Sequence, residues 1–111
     1  MNDKDKVVVR KMLKYCEKVY RYINNMTEQD FADKEETQDA CALCILQIGE
    51  LSKSVSEEMK RSYSQISWRE MRDARNFMAH TYETVNIETL WYTASKSIPQ
   101  LKEQLNDILK D

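Results

Sequence analysis

The amino-acid sequence predicts a single all-α domain. Its 111 residues leave room for one hydrophobic core, and one glycine and one proline are too few for the turns of a β-sandwich or a series of hairpins. Good helix formers are abundant, and apolar residues recur at spacings of three and four, which is the period of a helix buried on one side. We therefore expect amphipathic helices packed around one core.

Two helices are predicted in the first half of the chain. The first covers about residues 4–24, where its apolar stripe ends. A connector follows, in which Thr27 and Asp30 have the spacing to cap a short turn. The second helix should cover residues 35–58, and its wide apolar stripe indicates contacts on two sides. Gly49 lies inside it and costs about 1 kcal/mol relative to alanine, so we expect close packing against a neighbouring helix there.

Two further helices are predicted in the second half. Ser67 and Glu70 have the spacing of a capping box, in which a serine hydroxyl accepts from a backbone N–H and a carboxylate reaches back. A third helix begins there and should end between residues 80 and 83. Asn86 is the expected N-cap of a fourth helix, which contains Pro99. Because proline lacks an N–H and its ring clashes with the preceding turn, we expect a kink or break in the two residues before it.

The charge balance limits the kinds of partner. Charged residues make up 32% of the chain but nearly cancel, to a formal net charge of −2. No overall positive field attracts nucleic acid, so any contact with RNA must be local. One small basic cluster could steer RNA or could form a solvated surface: Lys60, Arg61, Arg69 and Arg72.

The sequence also indicates a compartment. No apolar run approaches the roughly 20 residues of a membrane span, and no apolar signal segment follows the charged N-terminal residues, so we expect a cytoplasmic protein without membrane association. Three cysteines, an odd number, argue against a disulfide framework and are interpreted as reduced thiols. Cys41 and Cys44 have the spacing of a metal or redox pair. Core packing is the favoured interpretation, because they lie mid-helix on an apolar stripe without a second pair.

The chain has one histidine, His80, which follows Arg75 by five residues. Histidine has an ordinary pKa close to neutrality and can move protons between oxygens, while a guanidinium suits a phosphate whose negative charge grows during attack. An imidazole and a guanidinium are the minimum set of groups for RNA cleavage without a metal or other cofactor. His80 would handle the proton of the 2′-hydroxyl or of the leaving 5′-oxygen, while Arg75 holds the phosphate. The alternative is structural, with His80 at a helix C-terminus and Arg75 paired with Glu50 or Glu83; Glu50 could equally support the site from the second helix.

Helical geometry adds detail to this candidate site. Asn76 and His80 lie about 40° apart on an ideal helix, so the amide could orient the imidazole. Arg75 and His80 lie about 140° apart. They can converge only if the helix loosens, if the arginine bends round, or if a second protomer completes the site. Tyr82 lies nearly on the face of Arg75, and its hydroxyl could bind phosphate or be modified, while Arg72 adds positive charge one turn before Asn76.

Four segments carry a resemblance to a known family. They are DACALCILQIGE at residues 39–50, ISWREMRDARNFMAHTY at residues 66–82, LW at residues 90–91 and IPQL at residues 98–101. In this order they resemble the HEPN family of small helical nucleases, specifically the HepT-like toxins of prokaryotic toxin–antitoxin pairs. The family signature is an arginine, a polar residue, a short apolar stretch and then His-x-Tyr. Arg75, Asn76, His80 and Tyr82 match it.

The resemblance implies an antiparallel bundle of four to five helices, assembled as a symmetric homodimer whose two Arg/His motifs face a shared cleft. It implies metal-independent cleavage of RNA, possible substrates being tRNA and mRNA, with His80 in acid–base chemistry and Arg75 on the phosphate. It also implies the toxin of a type VII-like pair, neutralised by a nucleotidyltransferase antitoxin of the MNT type that transfers AMP to Tyr82. The added negative charge and bulk would block RNA.

Two other functional classes remain open from the residues. One is a non-catalytic helical module, dimeric, that binds nucleotides or a partner protein, in which Arg75 binds phosphate and His80 only orients it. The other is a structural dimerisation partner, in which both residues tolerate substitution.

Overall fold

The computed structural model describes all 111 residues and contains helices without any strand, which confirms the all-α class. A 3₁₀ turn over Tyr82–Thr84 and a π-helical segment over Thr93–Ser97 accompany the α-helices. None of the helices combines the length and the apolar character needed to cross a lipid bilayer. In chain order the α-helices are α1 Asp3–Ile23, α2 Glu28–Ala32, α3 Glu35–Ser52, α4 Glu57–Ser62, α5 Trp68–Thr81, α6 Ile87–Tyr92 and α7 Ile98–Leu109.

Helix α3 lies at the centre of the bundle. It packs against α1 and against α5, as its wide apolar stripe predicts, and α1 also packs against α7. The short helix α2 contacts α3 and α6. The largest fully buried apolar side chains of the core are Met12, Phe31, Ile48, Ile66, Leu90 and Leu105.

Two of the three predicted capping interactions are confirmed, and a helix begins at all three places. Thr27 and Asp30 form a complete capping box, and the Asn86 side chain accepts hydrogen bonds from two backbone N–H groups of α6. Ser67 is the N-cap of α5, but its hydroxyl makes no capping hydrogen bond, so the predicted capping box is wrong. The ψ angle of Ser67 is 71°, whereas the N-cap Thr27 has an extended ψ angle of 169°. Because the backbone of Ser67 is not extended, its hydroxyl does not point toward the N–H of Glu70.

The second helix is shorter than predicted, because α3 ends at Ser52 and a separate helix, α4, begins at Glu57. Ser56 is the N-cap of α4, and both its N–H and its hydroxyl donate to the carboxylate of Asp5, at 3.0 and 2.7 Å. Asp5 lies in the first turn of α1 and is 2% exposed. A tertiary contact between residues 51 positions apart therefore adds to the local N-cap, in which the Ser56 hydroxyl accepts from the N–H of Met59.

Pro99 does not break the last helix. The chain continues from α6 into α7 through the π-helical segment, which ends two residues before the proline. The ring of a proline excludes the carbonyl four residues earlier, here that of Ser95. A π turn moves the hydrogen bonds one residue further along, so the helix continues through the proline without the break that was one of the two expectations.

Candidate functional site

Two polar contacts join α3 to α5 and the turn after it. Arg75 pairs with Glu50 through its Nε, and the hydroxyl of Tyr82 donates to Oδ1 of Asp39. Asp39 lies near the start of α3 and Glu50 near its end, so the two helices run antiparallel. Asp39 and Glu50 are eleven residues apart and Arg75 and Tyr82 are seven apart, and each spacing returns to the same face of a helix.

Gly49 allows α5 to approach α3 closely at Arg75. A Cβ atom at this position would overlap Cβ of Arg75 and would lie 2.7 Å from the carbonyl oxygen of Met71. The close packing expected at Gly49 is therefore confirmed, and its partner is the helix that carries the candidate site. The same approach brings the guanidinium within reach of Glu50, the neighbour of Gly49.

Replacing Gly49 with alanine is expected to lower the free energy of unfolding by about 1–3 kcal/mol, as overpacking does. Alanine gains about 1 kcal/mol in helix propensity, but the opposing overlap involves backbone, which cannot move aside like a flexible side chain. Urea denaturation of the parent and of Gly49→Ala measures the difference in the free energy of unfolding. Glu36→Ala, at an exposed position of the same helix, should change stability by no more than about 0.5 kcal/mol. A Gly49→Ala variant more stable than the parent would contradict the close approach.

The guanidinium of Arg75 is held in place with unused donors. The side chain is 24% exposed, and besides the Nε pair with Glu50 its Nη1 donates to Oδ1 of Asn76 at 3.1 Å. Two of its five N–H groups are thus engaged, and three remain for an oxyanion. The hydrogen bond from Arg75, more than the nearby Lys53, holds the pKa of Glu50 below its usual range. Glu50 is therefore an ionised anchor for the arginine.

His80 lies in the last turn of α5, and its side chain is exposed and makes no hydrogen bond within the chain. Asn76 is also exposed, and its amide oxygen accepts from Arg75; no hydrogen bond joins it to His80. Neither Arg75 nor His80 lines either of the two main cavities. The structure thus joins Arg75, Glu50 and Asn76, but within one chain it does not bring His80 into that group.

Tyr82 is half-buried at the edge of a cavity of about 450 Å³ between the end of α2, the start of α3 and the turn after α5. Burial, and next the hydrogen bond to Asp39, raise the pKa of Tyr82 above its usual range. Sequence reasoning did not single out Asp39. The available signal was helical periodicity, because Asp39 lies eleven residues before Glu50 and therefore on the same face of α3. The ionisable residues that line this cavity are Asp33, Glu35, Asp39, Tyr82 and Glu83.

The remaining candidates lie outside these contacts. Arg72 is exposed, and its Nε lies 3.9 Å from the carboxylate of Asp73. Lys60 lies 3.6 Å from Glu57, while the other two members of the basic cluster, Arg61 and Arg69, are exposed.

The three cysteines are buried free thiols, which confirms the core packing predicted for Cys41 and Cys44. Burial raises the pKa of Cys16 and of Cys41 to about 12. A thiol with so high a pKa stays protonated, and a protonated thiol is a poor nucleophile and a poor metal ligand, since both roles need the thiolate.

An all-helical domain with an arginine anchored on one helix, followed by a histidine and a tyrosine at the end of that helix, has the arrangement expected for the family that the sequence resembles. Residues 12–108 match the family model described as "Ribonuclease HepT-like". Because that match covers most of the chain, the protein belongs to the HepT-like family.

Individual relatives extend over the same region. The chain is 32% identical over 94 residues to "Probable ribonuclease HepT" of Thermococcus cleftensis, covering 85% of the chain and 86% of the relative. It is 28% identical over 100 residues to "Putative RNase MJ1216" of Methanocaldococcus jannaschii, covering 90% of the chain and 83% of the relative. In the same organism, "Gamma-glutamylcyclotransferase and putative RNase MJ0434" is 30% identical over 106 residues, which are 96% of the chain and 48% of that protein. No solved structure matches the chain significantly.

Proposed function

We propose that this protein is the toxin of a toxin–antitoxin pair and a metal-independent endoribonuclease. The observation that carries the proposal is the state of Arg75, a guanidinium anchored by Glu50 with three N–H groups left for a phosphate. A preorganised cation of this kind stabilises negative charge that develops on a phosphate during attack. Membership of the HepT-like family and the ribonuclease names of its relatives support RNA as the substrate class.

The proposed reaction uses the 2′-hydroxyl of the RNA as the nucleophile. Its oxygen attacks the adjacent phosphorus, the bond from phosphorus to the 5′-oxygen breaks, and a 2′,3′-cyclic phosphate remains. His80 takes the proton from the 2′-hydroxyl or supplies one to the leaving 5′-oxygen. Arg75 binds the non-bridging oxygens as their charge increases. The chain is thereby an enzyme that needs no metal for the chemical step.

A second copy of the chain would complete the site. Arg75 contacts α3 whereas His80 is exposed, and the two positions lie about 140° apart around α5. Two large apolar side chains on these helices are exposed: Leu43, one turn after Asp39 on α3, is 58% exposed, and Phe77, one turn before His80 on α5, is 45% exposed. A symmetric homodimer that covers them would bring the histidine of one protomer toward the arginine of the other.

The proposed regulation acts at Tyr82. A nucleotidyltransferase antitoxin of the MNT type transfers AMP to its hydroxyl, two residues beyond His80. The phosphodiester and the nucleoside would then occupy the approach of the RNA, excluding it by charge and by bulk. Under this proposal both proteins act in the cytoplasm.

The nuclease proposal is tested with purified protein, RNA and EDTA. We expect cleavage to continue in EDTA and to leave 2′,3′-cyclic phosphate ends, detectable by mass spectrometry. Activity that EDTA abolishes and added Mg²⁺ restores would contradict the proposed chemistry.

A non-catalytic binding module is the second candidate, and the separation of His80 from Arg75 within one chain favours it. In that case Arg75 alone binds a nucleotide phosphate or a partner protein, and the dimer is a scaffold. Saturable, salt-sensitive nucleotide binding without any RNA cleavage would favour this module over the nuclease.

A further inference from the structure

We propose that Asp39 is the proton acceptor when Tyr82 takes up AMP, so that the toxin carries in its own chain the base for its modification. The inference rests on the proposed AMP transfer and goes beyond it, because it assigns a catalytic residue to the protein that is modified. Asp39 lies on α3, forty-three residues from Tyr82 in the sequence.

The contact already has the geometry that proton transfer needs. The phenol hydroxyl donates directly to Oδ1 of Asp39, and no other acceptor takes this proton. Asp39 is exposed, so solvent can remove a proton delivered to it. A candidate base must first lie within hydrogen-bond reach of the proton that it abstracts, and this one does.

Tyr82 needs such a base because its surroundings disfavour the phenolate. The side chain is half-buried, and the other charged groups that line its cavity are carboxylates: Glu35 from α3, Asp33 from the end of α2, and Glu83 from its own turn. No cationic residue lines this cavity. Burial and the neighbouring carboxylates raise the pKa of Tyr82, so the hydroxyl stays protonated until a base accepts its proton.

The proposed step is balanced as follows. The phenol oxygen attacks the α-phosphorus of a nucleoside triphosphate, and a P–O bond forms. The bond from that phosphorus to the oxygen bridging the β-phosphate breaks, and pyrophosphate leaves with the electron pair. The phenol proton passes to Oδ1 of Asp39 and then to water. An aspartate plays the same part in protein kinases, where it accepts the proton of the substrate hydroxyl.

The test uses the full-length chain, its nucleotidyltransferase antitoxin, ATP and Mg²⁺, with intact mass recorded over time. We expect Asp39→Asn to slow AMP transfer by about 10²–10⁴-fold, because an amide still accepts the hydrogen bond but cannot take the proton. Asp39→Glu should recover part of the rate. The control is Glu36→Gln, which removes one charge from an exposed position of α3 outside this cavity and should react within about threefold of the parent.

The pH profile separates a base from a residue that only positions the ring. The pH–rate profiles of the parent chain and of Asp39→Asn should differ in shape if Asp39 accepts the proton, and only by a constant factor if it merely positions the ring. The melting temperature of each variant is measured alongside, so that a slow rate can be distinguished from unfolding.

The two proposals fail in different ways. A parent chain that gains no AMP, or gains it equally after Tyr82→Phe, would overturn the proposed modification and the role of Asp39 with it. Normal transfer to the parent and equally fast transfer to a folded Asp39→Asn variant would overturn the role of Asp39 alone.

Discussion

Replacing His80 with alanine is expected to lower the rate of RNA cleavage by about 10²–10⁴-fold, the usual contribution of one acid–base group. The fold should persist, because the side chain is exposed and makes no hydrogen bond within the chain. The cost in stability should stay within about 1 kcal/mol, because substitutions at exposed positions outside the core change stability little. Initial rates on a labelled RNA, together with thermal denaturation of the same preparation, measure both quantities.

Asp73 provides the matched control. It lies seven residues before His80, on the same outward side of α5, and its side chain is 62% exposed. Asp73→Asn should leave cleavage within about twofold of the parent. A His80→Ala variant that cut RNA as fast as this control would remove the histidine from the mechanism and leave the binding module as the better account.

An equal mixture of Arg75→Ala and His80→Ala variants is expected to recover about a quarter of the parent activity, although each variant alone has lost nearly all of its own. Arg75→Ala alone should lose about 10²–10³-fold, as the loss of one group that stabilises a developing oxyanion does. If each site takes its arginine from one protomer and its histidine from the other, a mixed dimer keeps one intact site of two. Random exchange of subunits makes about half of the dimers mixed. Since each mixed dimer has one intact site of two, about a quarter of the parent activity is expected.

The recovery distinguishes a shared site from one within a single chain. Mixing Arg75→Ala with the Arg75→Ala, His80→Ala double variant should give no recovery, because no protomer supplies the arginine. Exchange of subunits is verified by native mass spectrometry before rates are compared. Mixed dimers that form but remain inactive would contradict a site built across the twofold axis, and a strictly monomeric protein would exclude the proposed homodimer.

Local sequence signals predicted most of the fold. The apolar period of α1 gave its bounds to within a residue, and Thr27 with Asp30 formed the capping box that their spacing indicates. The local signals did not predict the separate helix α4 or the missing capping bond of Ser67. Asp5 holds the separate start of α4 across 51 positions, and the ψ angle of Ser67 turns its hydroxyl away from a cap.

For the candidate site, the sequence by itself determined which side chains are available: one histidine, an arginine five residues before it, and a tyrosine on the face of that arginine. Helical periodicity fixes such relations within a helix, because each residue turns by about 100°. Only the tertiary structure decided that Glu50 anchors Arg75 and that Asp39 holds Tyr82. Which residues meet across two packed helices depends on the register of the helices and on how closely they approach, and Gly49 permits the close approach here. The spacing of residues along the sequence contains neither quantity.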